Sequence, residues 1–187
     1  MIWHGQPMPI PPCRNPCWKL RWVSGMPPCI FIHDKEKEMA DFLETTVDKF
    51  IFRVATDCHY NSEGLWVRQV GDQVRVGLSD FLQQRSGDVA FVEIKPEGTI
   101  LSAGDEVAVI ETIKVNVSLT SPVSGKVIEV NPAMEMTPEA INQDPYGNGW
   151  LAVIEPSNWE ADLAQLLDAQ AYLTLMKGQA EEEMKKQ

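Results

Sequence analysis

Apolar residues from about Ile51 to Ile154 come in short runs rich in valine and isoleucine, each closed by glycine, proline, asparagine or serine. That is strand-and-turn patterning. Trp66 to Gln69 and Val74 to Leu78 read as the arms of a hairpin across Val70-Gly71-Asp72-Gln73. Ser79 ahead of Asp80-Phe81-Leu82-Gln83 reads as the cap of a short helix that ends before Gly87. Phe91 to Ile94 is a strand stopped by Pro96-Glu97-Gly98. Val107 to Ile113 and Gly125 to Val130 are two more, with Thr120-Ser121-Pro122 and Ser124-Gly125 as breakers between them. Thr137-Pro138-Glu139 reads as an N-cap followed by proline at the first position of a one- or two-turn helix, and Trp150 to Ile154 as a final strand. Many short strands with little helix between them predict a mainly β barrel or sandwich trimmed with short helices.

The flanks follow other periods. Met39, Phe42, Leu43, Val47 and Phe50 recur at intervals of three and four among charged residues, which predicts one amphipathic helix over His33 to Phe50. Ser157-Asn158-Trp159-Glu160 fits a capping box opening a C-terminal helix striped by Trp159, Leu163, Leu166, Leu167 and Leu173, with Ala180 to Gln187 as a frayed charged tail. Met1 to Cys29 holds seven of the thirteen prolines and shows neither period, so it reads as an irregular arm, with Trp3, Trp18 and Trp22 as docking groups. The expected organisation is an N-terminal extension over residues 1–50 and one β domain over residues 51–180.

Composition narrows the classes. Sixteen Lys and Arg against 27 Asp and Glu give a net charge of −11, which argues against nucleic-acid binding because phosphates repel carboxylates. No apolar run is long enough to cross a bilayer, and Met1 to Ile10 lacks the basic and apolar regions of a secretory signal. The expected compartment is therefore the cytoplasm, with Cys13, Cys17, Cys29 and Cys58 as reduced thiols. Neither membrane nor nucleic acid is an expected partner.

One stretch carries chemistry. From Val107 an apolar strand runs through Glu111-Thr-Ile-Lys114, then returns through a turn toward Ser121-Pro-Val-Ser-Gly125. A lysine at the tip of a hairpin projects an amine on a rigid base, suited to presenting an acyl-type cofactor; most lysines are simply solvated. Those residues, with Val130-Asn131, Asn142-Gln-Asp-Pro-Tyr-Gly-Asn-Gly-Trp150 and Leu166-Leu-Asp-Ala-Gln-Ala-Tyr172, resemble the H protein of the glycine cleavage system. Upstream, Trp66-Val67, Val76-Gly-Leu-Ser-Asp80 and Gly87-Asp88-Val-Ala-Phe-Val-Glu93 extend the resemblance to roughly residues 57–175.

The resemblance implies a lipoyl-domain-like barrel-sandwich hybrid, a non-catalytic carrier with lipoate joined by an amide to Lys114. Glu111 and Gly125 are the accompanying candidate cofactor-site residues, and no metal ligand is expected. Biotin is the alternative modification, disfavoured because Ile113 and Val115 rather than methionines flank the lysine. Gly125 is expected either to let the ligase approach or to serve a turn needing positive φ. The implied partners are a pyridoxal-phosphate glycine decarboxylase, a folate-dependent aminomethyltransferase, dihydrolipoamide dehydrogenase and a lipoate ligase or transferase.

The chain also departs from that family. Where the family commonly has His-Glu-Trp-Val this chain has Gly64-Leu65-Trp66-Val67, and Ser118 replaces a second acid four residues after the lysine. Both acids help shelter a cationic aminomethyl arm in the family, so the expectation is a carrier that holds such cargo poorly unless Glu63 or His59 compensates. This leaves a lipoate-binding carrier of sulfur intermediates, working with a heterodisulfide-reductase-like complex, as an alternative. A metal- or redox-responsive module is a third, with Cys13, Cys17 and Cys29 as ligands beside His4 and His33. Cys58-His59 is not expected to form a catalytic dyad, since neighbours on a strand face opposite ways.

Overall fold

The computed structural model describes residues 41–185. The proline-rich arm, Cys13, Cys17, Cys29, His4, His33 and the first turns of the expected helix lie outside the described residues. In chain order, strands β1 (Phe42–Val47) and β2 (Phe50–Ala55) are followed by β3 (His59–Tyr60), β4 (Leu65–Val70) and β5 (Gln73–Leu78). Helix α1 (Asp80–Ser86) leads to β6 (Val89–Ile94), β7 (Ile100–Leu101), β8 (Glu106–Thr112), β9 (Asn116–Thr120) and β10 (Gly125–Val130). Helices α2 (Ala133–Met136) and α3 (Ala140–Gln143), strand β11 (Trp150–Pro156), then α4 (Trp159–Leu163) and α5 (Ala169–Met184) complete the chain.

Six strands in the order β3-β4-β5-β11-β10-β7 form one sheet and β6-β8-β9 a second. Their inner faces share one core, with Val67, Val76, Leu151 and Ile154 from the first and Val92, Ile110 and Leu119 from the second. Two sheets closed over a common apolar layer make the barrel-sandwich hybrid that the resemblance implies. The Val70–Gln73 hairpin forms with β4 and β5 in the expected register. Ser79 caps α1 by accepting from the Leu82 amide, and Gly87 ends it.

A second core joins the flanks to the barrel. Tyr60 stacks on Tyr172 of α5 with centroids 4.2 Å apart, and Trp66, Phe81 and Met176 pack around them. Burial pushes the Tyr172 phenol up to about 12 while its oxygen lies 2.7 Å from Ser79 Oγ. Cys58 belongs to this core, and burial pushes its thiol up to about 12. His59 instead lies perpendicular to Trp159, with ring centroids 6.4 Å apart, so the two neighbours do not form a dyad.

Several expectations are corrected. No helix spans Phe42 to Phe50. β1 and β2 pair antiparallel from Phe42↔Ala55 to Val47↔Phe50, with Asp48 at φ 54° in the turn. The spacing of Met39, Phe42, Leu43, Val47 and Phe50 is compatible with a helix, but alternating burial along β1 and the β-branched Thr45-Thr46-Val47 run suit a strand. Thr137 is not an N-cap but closes α2, its hydroxyl donating to the Ala133 carbonyl. Asn158, not Ser157, caps α4, and the expected single C-terminal helix is two, because Leu167 breaks away to bridge Tyr60. The tail is helical to Met184, with Ala180 buried. No helix among the described residues is long and apolar enough to cross a membrane.

Gly125 has no positive φ. It opens β10, buried, where a Cβ would collide with the Glu155 carbonyl oxygen. Close strand approach, not a turn needing positive φ, therefore requires glycine there. Gly125→Ala is expected to destabilise the fold by about 1–3 kcal/mol, read as a lower urea midpoint with unchanged slope. Cys58 should resist alkylation in the native chain at pH 9 and react on unfolding, as mapped by peptide mass. Because its folded pKa lies above the unfolded one, its contribution to stability is complete below about pH 9 and is lost as pH rises toward 12.

Candidate functional site

The turn between β8 and β9 is built by one threonine. The Thr112 hydroxyl donates to the Val115 carbonyl at 2.9 Å and accepts from the Lys114 and Val115 amides at 3.2 and 3.1 Å. The Thr112 amide also donates to the Val115 carbonyl at 3.0 Å. Below it, Glu111↔Asn116 is the last pair of the ladder. Four hydrogen bonds on so few residues hold the backbone while leaving the side chains of Ile113, Lys114 and Val115 outside. All three are exposed, Ile113 by 86%. Lys114 makes no ion pair among the described residues. The expected hairpin-tip lysine is present, but the returning strand is β9, which the sequence pattern did not mark.

Glu111 sits exposed at the end of β8, three residues before the lysine. Gly125 lies in the other sheet, in β10 between β7 and β11, and the structure does not bring it into the Lys114 turn.

Two cavities flank the turn. One, of about 560 Å³, is walled by Leu65, Leu82, Val115, Val117 and Leu119, with Glu63 and Ser118 among its polar groups. The departures noted in the sequence meet here. Leu65 is fully buried, and the Ser118 hydroxyl donates to Glu106 at 2.6 Å, which with the Lys95 ammonium 2.9 Å away holds the Glu106 carboxyl below the usual range. Glu63 supplies a carboxylate instead. Asn61 Oδ1 accepts from the amides of Glu63, Gly64 and Leu65 at 3.1, 2.9 and 2.8 Å, fixing the loop that carries it. Gly64 has φ 102° and is crowded by Leu82, Tyr172 and Ser79, so the family's usual histidine would not fit this conformation. Glu63 accepts a hydrogen bond from the Thr120 hydroxyl. His59 stays away against Trp159.

The second cavity, of about 270 Å³, has Lys114 in its wall together with residues of β1, β2, α1 and α5. Arg85 lines both cavities, and its guanidinium pairs with Glu183 at 3.0 Å. Sequence reasoning missed Thr112, Arg85 and Glu183. Only Thr112 carried a readable signal, as a hydroxyl two residues before a turn residue.

Among the described residues no group of three or more His, Cys, Asp or Glu is placed to hold a metal ion. Compared with known proteins, residues 58–179 match the family described as glycine cleavage H-protein. The chain is 47% identical over 113 residues to the glycine cleavage system H protein of Bacteroides fragilis, covering 60% of this chain and 89% of that one. To a Thermus thermophilus protein of the same name it is 39% identical over 127 residues, covering 68% and 98%. The crystal structure of a glycine cleavage system H protein from Mycobacterium marinum superimposes with a TM-score of 0.58 at 33% identity, over 64% of this chain and 95% of that one. These relatives support the glycine cleavage expectation and lend nothing to the sulfur-carrying or metal-binding alternatives. The chain belongs to the glycine cleavage H-protein family.

Proposed function

We propose that the chain is a non-catalytic lipoyl carrier of the glycine cleavage system, with lipoate joined through an amide to Lys114. The observation that carries this is an exposed amine on a turn pinned by Thr112, within a match to the H-protein family over residues 58–179. When attached to Lys114, lipoate would supply the thiol–disulfide chemistry that the decarboxylase, the aminomethyltransferase and dihydrolipoamide dehydrogenase use in turn.

The residues present fit that group. Amide formation removes the Lys114 charge, and the larger cavity beside the turn offers aliphatic walls from Leu65, Leu82, Val117 and Leu119. Glu63 stands in the same cavity and can neutralise a cationic cargo, doing the work of the acids replaced by Leu65 and Ser118. Exposed Ile113 and Val115 flank the amine and Glu111 precedes it. Apolar side chains left in water on both sides of a modifiable lysine suit a surface read by the lipoate ligase or transferase. The net charge of −11 would steer encounters with partner enzymes, an effect that added salt screens.

In a lipoylating host, intact mass should show one lipoyl group, absent from Lys114→Arg, and the modified chain should support glycine decarboxylation with the system's enzymes. A bare lysine, or a modified chain inert with all partners, would overturn the reading. Thr112→Val keeps the shape but removes the hydroxyl bonds of the turn. It is expected to slow lipoate attachment about tenfold, in a time course followed by mass, while costing the fold only about 1–2 kcal/mol. Glu63→Gln should leave attachment unchanged and hasten loss of the aminomethyl cargo from the arm.

A further inference from the structure

The smaller cavity is built mostly from parts of the chain that the family match does not include. Val47, Phe50 and Phe52 precede residue 58, and Ala180 and Glu183 follow residue 179. Helix α1 closes it with Phe81, Gln84 and Arg85. Its apolar wall is largely aromatic. Phe52 meets Phe81 edge-on with centroids 5.3 Å apart and stacks on Phe50 at 6.3 Å. Val47, Phe52, Phe81 and Ala180 are buried, while Phe50 remains half exposed. The polar groups already have partners: Gln84 Nε2 donates to Ile51 O and Asp80 Oδ1, and Arg85 pairs with Glu183.

Lys114 reaches this cavity rather than the larger one. Its side chain runs beside Gly87, where a Cβ would lie 3.9 Å from Nζ and 4.0 Å from Cδ and Cε, and it enters the wall of the smaller cavity alone. A bare ammonium gains little from a pocket whose one acid is already paired with arginine. A neutral acyl chain continuing from Nζ would bury its methylenes there.

We propose that this cavity is a parking site for the aliphatic acyl chain carried on Lys114, a second resting place for the arm formed by the β1–β2 hairpin and the last turns of α5. It rests on the carrier reading. The arm therefore has two alternative seats on either side of Arg85, one with Glu63 and one lined by phenylalanine.

The test uses the full lipoylated chain. Nuclear Overhauser contacts between lipoyl methylenes and the ring of Phe50 or Phe81 are expected in the wild type. Reduction of the dithiolane by a water-soluble phosphine should speed up several-fold in Phe50→Asp, and by clearly less in Val117→Asp, which alters only the larger cavity. A lipoylated chain without those contacts, or one whose reduction responds to Val117→Asp alone, overturns the parking site and leaves the carrier reading standing. A chain whose Lys114 is never acylated overturns both.

Discussion

Everything the site does depends on Thr112 closing the return between β8 and β9. A carrier needs its attachment point mobile beyond the side chain and still behind it. Side-chain freedom in lysine is ample, so backbone movement would add only disorder to the reach of the arm. The hydroxyl takes both amides and one carbonyl of the turn, leaving the strands below to hold the register. Because the ladder is one edge of a sheet whose inner face contributes Ile110 and Leu119 to the core, the turn is anchored to the most buried layer of the molecule.

Barrel and site were legible in the sequence to different depths. Turn chemistry marked most strands correctly because each had its own local breaker, as with Gly71-Asp72 and Pro96-Glu97-Gly98. β9 was not legible: Asn116 to Thr120 is short, mixes polar and apolar residues, and is defined by its pairing with β8 rather than by its own pattern. The hairpin over Phe42 to Ala55 failed for the opposite reason, since its apolar spacing satisfies a helix as well as a strand. The Asp48-Lys49 turn and the β-branched residues beside it decide the matter only once β1 and β2 can pair. The exposed turn that carries Lys114 was legible from its motif. The cavities were not, because their walls come from segments far apart in sequence.

The departures from the family pattern become one coherent change in the larger cavity. Gly64 takes a left-handed conformation that a crowded neighbourhood allows only to glycine, Leu65 turns inward and is fully buried, and Asn61 holds the three following amides. That loop places the Glu63 carboxylate in the cavity. Ser118, no longer an acid, joins a surface pair of Lys95 and Glu106. Glu63 still gives the cleft a carboxylate, so the loss of two family acids does not by itself demand a different cargo.

Arg85 gives the two cavities a common boundary, and its position explains why the flanking segments matter to the site. On one side it lines the cleft with Glu63; on the other it pairs with Glu183, carried on the last turns of α5. An exposed pair of this kind adds little stability. Its effect is to engage Glu183, the one acid lining the smaller cavity. Under the carrier reading, a neutral acyl chain on Lys114 would find in the smaller cavity an apolar wall supplied by the hairpin and helix end that lie beyond the family match.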